Sequence, residues 1–121
     1  MQISGFAIDM VERERVERMF SRNPKRLVEF VCSDLEKLEV DKLQGSAKIT
    51  YLTKRIAVKE AYFKALGTGI QSLRDWQKVW VEHDALGAPI LKNTHNRRGL
   101  ISITDTKTTA CAMVILQKDT E

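Results

Sequence analysis

Long apolar runs are missing from this chain. No stretch approaches the roughly 18 apolar residues that a membrane span needs, and the N-terminal residues carry no signal-peptide pattern. No membrane association is expected, and the chain is expected to stay in the cytoplasm. Cysteine is scarce: Cys32 and Cys111 fit no metal-binding spacing, and in the cytosol both thiols are expected to be reduced and partly buried. Aromatic residues make up only 7% of the chain, which leaves few rings for stacking nucleic-acid bases. His83 and His95 have no companion at catalytic or metal spacing and read as loop residues. Repeats, low-complexity tracts and interdomain linkers are also absent. The 121 residues are therefore expected to form a single domain, 1–121, with a real but modest core.

What remains is an ordinary globular composition, 43% apolar and 30% charged. The net charge of +4 suits an anionic small molecule or an acidic protein as well as nucleic acid, so charge alone does not choose. Met1 to Ile8 alternates, with Phe6 and Ile8 on one side and Gly5 and Ala7 on the other, and reads as a strand. Asp9 then reads as the start of a helix to about Ser21, with Asp9 and Glu12 at capping-box spacing. Asn23-Pro24 breaks it. A short helical turn follows over 25–31, and Ser33 caps another helix through about Lys42. The longest helix runs from about Ala47 to Leu66 and stops at Gly67. Strands are expected over 78–82 and 88–91, then over 100–104 and 110–116. This is an α+β pattern, a mainly antiparallel sheet with helices packed on one face.

The long helix carries the sharpest chemical signal. At about 100° per residue, Ile49, Leu52, Ile56 and Phe63 share one face, and Glu60 projects into that same sector. Lys64 lies one turn further on and Lys59 flanks the other side. A carboxylate beside buried surface is costly unless a cation or metal answers it. Glu60 and Lys64 at i,i+4 could form a plain helical ion pair. With Asp9 they could equally form a Mg²⁺–phosphate site, in which the ion neutralises phosphate charge and the lysine steadies the transferred group. Asp9 itself reads as an N-cap, as a metal ligand, or both. Arg55 and Lys59, one turn apart, could meet phosphates or simply be solvated. On the first helix Arg15, Arg18 and Arg22 form a row with Met19 beside it and Arg26 just beyond. Interleaved glutamates make a solvated face the simpler reading, while an acidic partner helix is the functional one.

Together these residues resemble the holo-(acyl-carrier-protein) synthases, the small 4′-phosphopantetheinyl transferases of bacterial fatty-acid synthesis. Gly5 and Asp9 in GFAIDMVERERVERM, then Arg55, Lys59, Glu60, Ala61 and Lys64 in RIAVKEAYFKALGTGI, carry the likeness in order and spacing. Gly87 and Pro89 in LGAP and the final ISITDTKTTACAMVIL extend it over nearly the whole chain. The resemblance implies a 4′-phosphopantetheinyl transferase fold and transfer of the phosphopantetheine arm of coenzyme A to a serine of apo acyl carrier protein. It implies Mg²⁺ held by Asp9 and Glu60 (Mn²⁺ suits the same ligands), with Asp9, Glu60 and Lys64 catalytic. Arg55, Lys59, Lys64, Asp105 and Thr106 would contact coenzyme A, while Arg15, Met19, Arg22 and Arg26 would meet the carrier protein. Homotrimers with sites at subunit boundaries are implied too, and with them an apolar sheet surface that one protomer cannot cover. Asp105 stands where the family usually has histidine, which predicts weaker coenzyme A binding. Two other functions compete: a basic nucleic-acid-binding module, and a carrier-binding subunit that has lost catalysis.

Overall fold

The computed structural model describes residues 2–118. Strand β1 (Ile3–Glu12) leads into three short helices, α1 (Arg13–Arg22), α2 (Pro24–Val31) and α3 (Asp34–Asp41), and then into the long helix α4 (Ser46–Leu66). A 3-10 turn at Leu73–Gln77 precedes β2 (Val79–His83), β3 (Pro89–Asn93), β4 (Gly99–Asp105) and β5 (Thr109–Gln117). β5 is the centre of a three-stranded antiparallel sheet ordered β1-β5-β4, and β2 and β3 form a separate antiparallel pair. The α+β expectation holds, with α4 laid across the inner face of β1 and β5.

The core is the seam between that helix and that face. Ile49, Leu52, Ile56, Ala57, Ala61 and Phe63 of α4 are buried against Val11, Ala110, Ala112, Val114 and Leu116. The contact is close enough to dictate a residue: a Cβ at Gly5 would lie 1.9 Å from the carbonyl oxygen of Ala65. Glycine at position 5 is thus required by the approach of β1 to the end of α4. Because strand side chains alternate, Gly5, Ala7, Asp9 and Val11 all face α4, while Phe6, Ile8 and Met10 face away.

One boundary differs from expectation. Asp9 is not a helix cap. It pairs with Ala112 inside β1, which continues to Glu12. Glu12 stands at the N-cap of α1 without a side-chain cap bond, and Arg13 N donates instead to Thr108 O at 2.7 Å. The long partner strand β5 draws the chain onward past the point where local capping chemistry would turn it. Elsewhere local signals prevail. Ser33 and Glu36 form a full capping box, Asn23 caps α2, and Gly67 ends α4 in the left-handed region at φ 88°.

Candidate active site

Asp9, on the inner face of β1, meets Glu60 and Lys64, one turn apart on α4. Lys64 Nζ donates to Ile8 O at 2.8 Å and to Asp9 Oδ1 at 3.4 Å. The helical Glu60–Lys64 pair is not made; Glu60 Oε2 instead accepts from Arg15 Nη2 of α1 at 3.1 Å. The Asp9 and Glu60 carboxyl groups lie near enough to influence each other's charge. Burial first, and then Asp9, push the Glu60 carboxyl above the ordinary carboxylate range, against the pull of Arg15. Asp9 Oδ2 is buried and has no hydrogen-bond partner. Two converging carboxylates with an unmet oxygen suit a hard divalent cation, which takes one or two carboxylates and completes its shell with phosphate oxygens and water. No cluster of three acidic, histidine or cysteine ligands occurs among the described residues, so most of that shell would come from substrate and solvent.

The flank of α4 that carries Lys54 and Arg55 opens onto a cavity of about 550 Å³, lined also by Lys42, Tyr51, His83 and Pro89. Arg55 reaches its floor but is only 4% exposed. Its guanidinium stacks 4.2 Å over Tyr51 and lies 3.4 Å from Glu36 Oε2. Lys54 Nζ pairs with Asp105 at 3.3 Å, so Asp105 carries its own counter-charge. Thr106 sits in the following turn, where its hydroxyl accepts from the backbone N–H groups of Thr108 and Thr109. A larger groove of about 750 Å³ lies between α2, α3 and the 3-10 turn. Neither groove is lined by Asp9 or Glu60, so the carboxylate pair rather than cavity size picks the site.

Residues 5–114 match the family described as the 4′-phosphopantetheinyl transferase superfamily. The chain belongs to that family. It is 35% identical to a holo-(acyl-carrier-protein) synthase of Anoxybacillus flavithermus, over 96% of this chain and 97% of the relative. It is 36% identical to the synthase of Photorhabdus laumondii, over 98% and 100%. A crystal structure of the Bacillus anthracis synthase in complex with CoA (3′,5′-ADP) superposes with a TM-score of 0.88 at 32% identity, covering 98% of this chain and 100% of that one.

In this phosphopantetheinyl transferase family member, one expected coenzyme A contact is overturned. Lys59 is fully buried, one residue and about 100° around α4 from Glu60. Its Nζ donates to Val31 O at 2.6 Å, Glu36 Oε1 at 2.7 Å and Trp76 O at 2.9 Å, so it has no free donor to offer a ligand. Burial draws its ammonium below the ordinary value while Glu36 pulls the other way. Glu36, which sequence reading did not single out, is the hub: it also accepts from Ser33 N and Val81 N. The Ser33-x-x-Glu36 spacing signals its capping role, but nothing local announces that the same carboxylate answers Lys59. His95 likewise gains an unexpected partner, its Nδ1 lying 2.8 Å from Tyr62 Oη. On α1 and α2, Arg15, Arg22 and Arg26 are exposed and Met19 is half-buried. Arg18 pairs with Glu14, whereas Arg22 and Arg26 form no ion pair among the described residues.

Proposed function

We propose that this chain, acting as one domain, is a holo-(acyl-carrier-protein) synthase of the cytoplasm, serving fatty-acid biosynthesis. It transfers the 4′-phosphopantetheine of coenzyme A to a serine hydroxyl of apo acyl carrier protein and releases adenosine 3′,5′-bisphosphate. The observation that carries this reading is the convergence of Asp9, with its unmet Oδ2, on Glu60 and Lys64.

Asp9 and Glu60 would hold Mg²⁺, with Mn²⁺ able to use the same oxygens. When bound, the ion offsets charge on the pyrophosphate oxygens. The serine oxygen attacks the β-phosphorus and gives up its proton to one of the two carboxylates or to a water beside them, the P–O bond to the α-phosphate breaks, and the bisphosphate departs. Lys64, anchored on the carbonyl of Ile8, places a positive charge where the leaving phosphate gains negative charge. Asp105, Lys54, Thr106 and Arg55 border the nucleotide, with Arg55 acting mainly from the cavity floor. Arg15, Met19, Arg22 and Arg26 present a basic surface with one adaptable apolar side chain to the acidic carrier. Most of the rate enhancement is positioning and charge neutralisation.

The active assembly is a homotrimer with sites at subunit boundaries. Support comes from the outer sheet face, where Phe6, Ile8, Met10 and Leu100 are 60%, 51%, 65% and 60% exposed. Incubation with coenzyme A, Mg²⁺ and apo carrier protein is expected to add the phosphopantetheine mass to the carrier. An unchanged carrier, beside a competent control enzyme, overturns the assignment.

A further inference from the structure

Arg15 stands in two places at once. It belongs to the exposed arginine row of α1, yet its Nη2 donates to Glu60 Oε2 of α4 at 3.1 Å. Its neighbours in the row do nothing similar. Arg18 pairs within the helix with Glu14, and Arg22 forms no ion pair among the described residues. Glu60, for its part, receives nothing from Lys64, whose Nζ is taken by Ile8 O and Asp9 Oδ1. Among the described residues Arg15 is therefore the one cation paired with Glu60.

The contact has the character of one that can be exchanged. The side chains of Arg15 and Glu60 are 46% and 23% exposed, which puts the pair among the solvent-screened ones that contribute little. The guanidinium spends a single contact on Glu60 and keeps further N–H donors of its fork for another acceptor. A carboxylate arriving from solvent can take that fork through two parallel bonds, the stronger arrangement. A tie that served only to hold α1 against α4 would need neither exposure nor spare donors, and the fully buried Val16 already anchors α1. While Arg15 rests on Glu60, its positive charge opposes a divalent ion at the same carboxylate, since like charges repel.

We propose that Arg15 is a positioning residue that couples docking of the acidic carrier to the readiness of Glu60. In the free chain it restrains Glu60; when a carboxylate of the carrier takes the guanidinium, Glu60 is released to face Asp9 and a divalent ion. Carrier and ion then bind with positive coupling, and by linkage each tightens the other by the same factor. The site is thereby completed when the acceptor protein is seated on α1, and not before. This inference rests on the transferase reading. A parent chain that never modifies its carrier fails that reading, whereas one that modifies it without the coupling fails this inference alone.

The test is NMR of the isotope-labelled full chain, in its solution oligomer, with an unlabelled carrier that has alanine in place of its acceptor serine. With EDTA present, saturating carrier is expected to shift the Arg15 guanidinium signals and the Glu60 amide together. Titration with excess Mg²⁺, followed at the Asp9 and Glu60 amides, should then show an affinity about threefold higher with carrier than without, the scale of an exposed ion pair. Arg15→Gln should raise the Mg²⁺ affinity of the free chain by a similar factor, and saturating carrier should add nothing further. Arg22→Gln, from the same row but without a contact to Glu60, should leave the Mg²⁺ affinity of the free chain at the parent value. An affinity for Mg²⁺ that carrier does not change overturns the proposal. So does free Arg15→Gln binding the ion no more tightly than the parent, or coupling that persists in that variant.

Discussion

Glu60 is the residue at which burial, a like charge and a cation compete, and its behaviour with pH follows from that competition. Its carboxyl sits above the ordinary value of 4.5 in the folded chain, chiefly through burial and then through Asp9. Between 4.5 and that raised value the folded chain holds a proton that the unfolded chain has released. Metal-free stability contributed by this group is therefore full below 4.5 and is lost as pH rises through the folded value. Denaturant titrations of the metal-free protein should show that slope, and Glu60→Gln should remove it. In the proposed site a proton and a divalent ion would claim the same oxygens, so Mg²⁺ affinity measured by calorimetry should fall as pH is lowered through the same window. An affinity independent of pH would contradict the shared site. Asp105 makes a second residue-scale case. Its carboxylate occupies Lys54, which lines the cavity beside Arg55. Asp105→His should free that lysine and lower KM for coenzyme A severalfold, on the order of tenfold at most. A KM unchanged or raised counts against this account.

At the scale of elements, α4 is a two-sided device. One flank directs Glu60 and Lys64 toward β1; the adjoining flank sends Lys59 and Arg55 inward to Glu36, which in turn bonds α3 and β2. The helix is thereby fixed in rotation as well as position, because its cations are tied to a carboxylate that cannot move without breaking the cap of α3. Lys59→Met keeps the volume but removes one partner of a fully buried pair. Such losses cost about 3–5 kcal/mol, and denaturant unfolding measures it. A cost below about 1 kcal/mol would show that Arg55 alone can neutralise Glu36. The helix was legible in the sequence from its apolar stripe and its terminal glycine. The direction of Lys59 was not, because a KE pair reads the same whether the lysine faces solvent or a buried acid from an earlier helix.

For the whole molecule, the arrangement is asymmetric: one sheet face covered by α4, the other bare among the described residues. Phe6, Ile8 and Met10 stand opposite Ile115, Met113 and Cys111 in register, and together they make a continuous apolar surface. A patch of that kind signals association, and three copies packed face to face would bury it. Met10→Asp should shift the particle to a smaller species in analytical ultracentrifugation and cut transfer activity together with it. Dissociation with activity intact would place each site within one protomer. No helix among the described residues is long and apolar enough to cross a membrane.

Local chemistry alone determined the Ser33 cap of α3, the glycine stop after Leu66 and the two hairpins. Those features depend on interactions within one or two turns of chain, which residue types declare directly. The tertiary structure decided that Asp9 belongs to a strand and not a cap, that Lys59 turns inward, and that Asp9 meets a lysine 55 positions away. Each of these depends on which strand pairs with which and how closely β1 approaches α4, and only long-range packing sets those distances.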